Sequence, residues 1–178
     1  MLISTQICPC QINPSSSAIS SPLLYKDCCQ PFHGRLYDSE DNKADTAERL
    51  MRTRYSAFVL VKPEYIVKTT LPTQQDLLDI EAIESWAKET DWAGLEIVTH
   101  TPKLGKRHAQ VEFKAYYMTE NGQQAHHELS TFVKVTNKAD NNVSWYFLDP
   151  TISMSVTQKQ PCICGSGEKL KRCCGAYI

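Results

Sequence analysis

With 178 residues, 42% of them hydrophobic, the chain has material for one ordinary core plus small appended modules. A net charge of −1 argues against broad electrostatic binding of nucleic acid. No apolar run reaches the roughly 18 residues of a membrane span, and Met1 to Cys8 lacks the basic start and apolar stretch of a secretory signal. Eight cysteines in such a chain read as thiolate chemistry in a reducing compartment, which predicts a cytoplasmic protein.

The first element is a cysteine cluster, Cys8-Pro9-Cys10 and, after a serine-rich connector holding Pro14 and Pro22, Cys28-Cys29. A short helical piece near Leu23 to Asp27 presents the second pair. Four thiols suit one tetrahedral zinc. The alternatives are a metal-free thiol cluster, or one site shared between the chain's two ends. His33 is a further nitrogen donor, but with four thiols at hand it reads as a packing or capping residue. These features make residues 1–34 one small unit, and the polar link 35–43 a boundary.

A helix follows from Asp45-Thr46-Ala47-Glu48, read as a capping box with Asp45 as N-cap. Leu50, Met51, Tyr55, Phe58, Val59 and Leu60 recur behind it at helical spacing. Arg49, Arg52 and Arg54 read as a solvated flank. Pro63 to Leu71 predicts a second helix stopped by Pro72, and residues 76–90 a third with Leu77, Leu78, Ile80, Ile83 and Trp86 as its apolar stripe.

Beyond Trp92 the period becomes two. Leu95 to Thr99 reads as a strand broken by turn material from Pro102 to Lys106, followed by strands over His108–Thr119, Gln123–Thr136 and Val143–Asp149. Helices first and an antiparallel sheet of about four strands second is an α+β layout, here spanning 44–152. Asn121-Gly122 predicts a two-residue hairpin loop. That register sets Tyr117 against His126, Ala115 against Glu128 and Phe113 against Ser130, so the apolar face of one strand carries His126, Glu128 and Ser130 from the next. A carboxylate beside an imidazole on a face that should be buried is costly unless paired or lining a wet cavity. A slip of one residue would turn His127 inward instead. The candidate pocket residues are therefore Glu128, His126, His127, Ser130 and Tyr117. The structural alternative is a buried Glu128 satisfied by backbone or by Arg52 or Arg54. The opposite sheet face, with Leu129, Thr131 and Tyr116, is a candidate homodimer surface.

The last element, residues 158–178, holds Cys162, Cys164, Cys173 and Cys174 as C-x-C, eight residues, then C-C. Gly165 and Gly167 let the backbone fold its amides onto the sulfurs. Lys159, Lys169, Lys171 and Arg172 outnumber Glu168, leaving this segment at +3 and the remainder at −4. Such cations offset the charge of about −2 on a zinc held by four thiolates. A pair of disulfides or unmetallated thiols are the blander readings.

The run Cys162-Ile163-Cys164-Gly165-Ser166-Gly167-Glu168-Lys169-Leu170-Lys171-Arg172-Cys173-Cys174 resembles the SEC-C zinc motif known from the end of the SecA translocase, a resemblance that implies zinc and a protein partner. The whole chain resembles the bacterial YchJ-like family. The matching residues are Cys8-Pro9-Cys10, Cys28-Cys29, Thr46-Ala47-Glu48, Leu50-Met51-Arg52, Arg54-Tyr55-Ser56-Ala57, Val111-Glu112-Phe113, His127-Glu128, Ser130, Phe132 and Trp145-Tyr146. That likeness implies a nuclear-transport-factor-2-like cone, about three helices on a curved antiparallel sheet, flanked by zinc motifs. It supplies no reaction, and the departure from Gly-Ser-Gly after Cys10 sets the first motif apart. Two functions follow: a non-enzymatic zinc-binding adaptor that meets a protein partner through its metal motifs, or a small-molecule enzyme or binder using the cone cavity around Glu128, with Tyr116 or Tyr117 as a donor.

Overall fold

The structure is a computed structural model that describes residues 6–16, 21–34, 43–137 and 141–178; apart from Lys43 the predicted polar link lies outside them. Among the described residues five α-helices come before the sheet: α1 (Gln30–His33), α2 (Ala47–Val59), α3 (Pro63–Lys68), α4 (Pro72–Gln75) and α5 (Ile80–Glu89). The cap of α2 is Thr46 rather than Asp45. Thr46 is extended, with φ −130°, and its hydroxyl meets the Arg49 N–H at 3.0 Å, as an N-cap must. Glu48 turns instead to Arg52 one turn on, 2.9 Å away. Pro72, expected only to stop a helix, starts the one-turn α4, because its fixed φ suits a first helical position. Asp79 caps α5 by accepting from Ala82 N–H at 3.0 Å.

Four strands follow, β1 (Asp91–Leu104), β2 (His108–Thr119), β3 (Gly122–Thr136) and β4 (Val143–Leu148), in that order in one antiparallel sheet. β1 runs on through Pro102, where the sequence predicts a turn. Its pairing is irregular between Trp92 and Gly94, Ile97 and Thr99, and Thr101 and Leu104. Irregularities of this kind bend a strand and excuse a proline from the ladder, so the sheet curls.

The hairpin differs from expectation by two residues. Its loop is Glu120-Asn121, with Thr119 opposite Gly122 and Tyr117 opposite Gln124. Gly122 sits at φ +96° while Glu120 and Asn121 keep ordinary negative φ, the signature of a type I turn followed by a left-handed glycine. A shift of two leaves the faces unchanged. Phe113 now opposes Glu128, Ala115 opposes His126 and Val111 opposes Ser130.

The concave face of the sheet packs on α2, with Leu50, Tyr55, Leu95, Val111, Phe113 and Phe132 in one buried cluster that includes Cys8, Cys10, Cys28 and Cys29. On the opposite face Val133 and Leu148 join Leu71 and the four C-terminal cysteines in a second cluster. Segment 69–71 covers the free edge of β4: Leu71 N–H donates to Phe147 O and Phe147 N–H to Thr69 O, both at 2.9 Å. Of the three residues expected on a dimer surface, Leu129 is 56% exposed, whereas Thr131 and Tyr116 are buried. The fold is α+β, a curled sheet wrapped on helices. No helix among the described residues is long and apolar enough to cross a membrane.

Candidate metal centres and the cone cavity

The eight cysteines form two clusters of four buried thiols, Cys8, Cys10, Cys28, Cys29 and Cys162, Cys164, Cys173, Cys174. Their backbones share a set of hydrogen bonds. Cys8 N–H donates to Leu23 O at 2.9 Å, as Cys162 N–H does to Glu168 O at 2.8 Å. Tyr25 N–H reaches Gln6 O at 2.8 Å, as Leu170 N–H reaches Gln160 O at 2.9 Å. Isolated bridges Ile7 to Leu24 and Pro161 to Lys169 occupy the same place in each. Single 3-10 turns, Tyr25–Asp27 and Leu170–Arg172, then deliver the adjacent pairs. The longer first connector therefore leaves these bonds of the metal-binding knuckle in place.

The donor set fits zinc. Sulfurs at about 2.3 Å from a tetrahedral ion lie about 3.8 Å from one another. In the first cluster Cys10 Sγ is 3.6 Å from each of Cys8, Cys28 and Cys29, and Cys28 is 3.8 Å from Cys29. In the second, Cys164 Sγ is 3.5 Å from both Cys162 and Cys173. These gaps are far too long for disulfides, whose sulfurs meet at about 2.05 Å. Left to themselves the thiols cannot all ionise. Hydrogen bonds from Cys10 and Cys29 hold Cys28 far below the thiol range, while Cys10 and Cys29 are pushed up. Likewise a hydrogen bond from Cys174 lowers Cys164 to about 4, and Cys174 is raised in return. Four thiolates together call for a dication.

Each cluster has its own hydrogen-bond donors. Arg49 reaches Cys28 Sγ at 3.5 Å and Cys28 O at 2.6 Å, and Gln11 Nε2 lies 3.7 Å from the sulfurs of Cys10 and Cys28. Ser56 Oγ is 3.5 Å from Cys8 Sγ. In the second cluster His108 Nε2 is 3.4 Å from Cys174 Sγ, Ser166 Oγ 3.6 Å from Cys173 Sγ and Cys174 N–H 3.4 Å from Cys162 Sγ. His33 ligates nothing: Nε2–H donates to Thr53 O at 2.9 Å and Nδ1 accepts from Tyr25 OH at 3.0 Å.

Between α2, α3, α5 and the concave sheet face lies a cavity of about 310 Å³, lined by residues that include Arg54, Phe58, Trp86, Trp92, Phe113, His126, Glu128, Ser130 and Asp149. Glu128 is held at both oxygens: Oε1 accepts from Ser130 Oγ at 2.5 Å and Oε2 lies 2.9 Å from His126 Nε2. The spacing of two along β3 produces this, since residues 126, 128 and 130 share one face. His127 points the other way and pairs with Glu112 Oε1 at 2.8 Å. Tyr117 is half-buried and outside the cavity lining.

Arg49, Arg52 and Arg54, expected as a solvated flank, are all engaged. α2 is covered on both sides, by the first knuckle and by the cavity. Arg52 Nη1 donates to Cys10 O at 3.1 Å, and Arg54, 6% exposed, donates to Ile66 O at 2.8 Å and Thr69 Oγ1 at 2.7 Å. Sequence reasoning also missed His108, Gln11 and the cavity's aromatic wall. The only prior signal for that wall was two tryptophans flanking the end of a helix.

The middle of the chain, residues 46–150, matches the family model described as YchJ, middle NTF2-like domain; residues 2–37 match the YchJ family N-terminal zinc binding domain and residues 159–176 the SEC-C motif. A UPF0225 protein of Actinobacillus succinogenes is 44% identical over 98% of this chain and 99% of its own, and one of Haemophilus influenzae 46% identical over 99% and 96%. A crystal structure of a SEC-C motif containing protein from Psychrobacter arcticus superposes with a TM-score of 0.96 at 78% identity, covering 100% of both chains. The solution structure of a SEC-C motif containing protein from Rhodopseudomonas palustris gives a TM-score of 0.58 at 34% identity, over 73% of this chain and 92% of that one. With its zinc-binding N-terminal domain, cone and SEC-C motif matched in order, the chain belongs to the YchJ family.

Proposed function

We propose that the protein is a zinc-stabilised small-molecule binder that works in the cytoplasm through the cavity of its cone. In this reading Cys8, Cys10, Cys28 and Cys29 hold one zinc, and Cys162, Cys164, Cys173 and Cys174 a second. Zinc supplies folding free energy and no chemistry, since four protein ligands leave no open position. The observation that carries the reading is the cavity with Glu128 on its wall, both carboxylate oxygens oriented by Ser130 and His126. Each oxygen keeps a lone pair for a ligand's donor, and the same carboxylate can take a proton from a bound molecule.

The test is 19F NMR of protein labelled with 5-fluorotryptophan. Trp86 and Trp92 line the cavity, while Trp145, which donates to Asp45 O at 3.1 Å, lies outside it and serves as the internal control. Added phenol should shift the first two resonances and leave the third. Equal shifts at all three, or none with either phenol or the charged phenyltrimethylammonium, would end the cavity reading.

An adaptor role comes second, favoured by one observation: Lys169, Lys171 and Arg172 are exposed around a knuckle whose sulfurs are buried. Reversal of these three cations to Glu would abolish capture of an acidic protein partner under that reading, and Glu128→Gln would leave it intact.

A further inference from the structure

We propose that the ligand of the cone cavity is a small organic cation, an inference that rests on the cavity being a binding site. Three rings of its lining pack together. Trp86 and Trp92 meet at 5.3 Å and 72°, Phe58 and Trp86 at 4.9 Å and 68°, and Phe58 and Trp92 at 5.9 Å. Ring faces carry negative quadrupole density, and cations seat on them, best of all on tryptophan. Two carboxylates, Glu128 and Asp149, share the lining, and among the described residues no lysine does.

Among the described residues the lining's one guanidinium is that of Arg54, and its Nη1 is already engaged. Nη1 donates to Ile66 O, Thr69 Oγ1 and Thr70 Oγ1, and the guanidinium carbon stands 4.5 Å above the Phe147 ring. Arg54 thus shows that this cavity seats a cation on an aromatic face, with its Nη1 donors turned to the α3 end rather than toward an incoming anion.

Size and exposure agree. A volume of about 310 Å³ stands at the small end of ligand pockets, about 300–1,000 Å³. Trp86 is 45% exposed at a position where an amphipathic helix should bury it. A cation stacked there covers the indole and gives Glu128 a counter-charge. An uncharged apolar guest would instead strip water from Glu128 without replacing its hydrogen bonds, and an anion would meet Glu128 and Asp149.

The experiment titrates fluorotryptophan-labelled, zinc-loaded protein with three probes of one shape: phenyltrimethylammonium, its uncharged isostere tert-butylbenzene, and benzenesulfonate. The Trp86 and Trp92 resonances should report the ammonium about tenfold tighter than the isostere, and the sulfonate weakest. Glu128→Gln should erase most of that preference while the Trp145 resonance and the circular dichroism stay unchanged. Equal or tighter binding of tert-butylbenzene overturns the cation inference and leaves the cavity reading standing. Tightest binding of the sulfonate overturns it in favour of Arg54 as the recognition group. No binding of any probe overturns both.

Discussion

The two knuckles share one hydrogen-bond pattern and differ in what surrounds them. The first is driven into the body. Its cysteines are 0–1% exposed, it packs on α2 and the cone core, and its connector runs onto the sheet edge, where Leu95 N–H donates to Ile12 O at 2.7 Å. Gly94 permits that approach, since a Cβ there would stand 2.5 Å from Pro14 Cδ. The second rests on the outer face through Leu71, Val133 and Leu148, with three of its cysteines 3–7% exposed and its cations in water. One metal-binding unit therefore does two jobs. At the N-terminus it completes the core of the cone, and at the C-terminus it caps a sheet that is already formed.

The largest effect that would break this comparison is loss of a cysteine. A structural zinc contributes apparent binding free energy of about 10–16 kcal/mol, comparable to the whole stability of a domain at about 5–15 kcal/mol. Cys28→Ser should therefore unfold the cone, and Cys173→Ser should remove one zinc while the cone persists. Zinc per chain by mass spectrometry and near-ultraviolet circular dichroism of the buried aromatics check both. Equal collapse of the two variants would show that the sheet depends on its cap as much as on its core.

Next in size is a proton. His33 leaves the first knuckle to pack on Tyr65, ring centroids 4.5 Å apart, and burial lowers its pKa from 6.5 to about 4. Between those values the unfolded chain binds the proton that the folded chain refuses. The contribution is present in full above pH 6.5 and is lost as pH falls toward 4, by about 3 kcal/mol. Histidine NMR reads the ring directly. A midpoint near 4 is expected, and one near 6.5 would mean that the first knuckle is not seated on α3.

Smaller still are the groups that donate to sulfur. Arg49→Ala should weaken zinc at the first cluster and His108→Ala at the second, each by about 10–100-fold and each without effect on the other. Competition with a chelator, followed cluster by cluster, tests this, and a change at both clusters would mean that the two sites communicate through the sheet.

Much of this arrangement was legible in the chain. Cysteine spacing marked both knuckles, the period of two placed β2 within its observed ends, and the parity of residues 126, 128 and 130 put an acid on the inner face. The hairpin register escaped by two residues because Asn121-Gly122 suits both a two-residue loop with left-handed centres and a type I turn closed by the glycine, and only cross-strand packing chooses. Arg49 and Arg54 looked solvated because a basic residue on a helix is ordinarily exposed, and their partners, Cys28 and Thr69, come from elsewhere in the chain. His108 carries no local signal at all, since Cys174 is 66 residues away. Long-range partners are what a single sequence hides.

The finest test compares the residue after the second cysteine in each knuckle. Both donate the same backbone bond: Gly165 N–H to Cys162 O at 3.0 Å, and Gln11 N–H to Cys8 O at 2.8 Å. Gly165 does so at φ +73°, and Gln11 with an ordinary negative φ inside a 3-10 turn. A side chain at Gly165 meets no atom within 4 Å, so Gly165→Ala costs only the left-handed backbone, about 1–2 kcal/mol. Zinc affinity at the second cluster should fall by roughly tenfold with the fold intact. Gln11→Gly, which removes the amide that faces Cys10 and Cys28, should weaken the first cluster by a similar factor for the opposite reason: there a side chain supplies the donor that Ser166 Oγ and the Cys174 N–H supply at the other end. Were Gly165→Ala silent while Gln11→Gly is not, the Gly-Ser-Gly of the second knuckle would be serving its exposed surface rather than its metal.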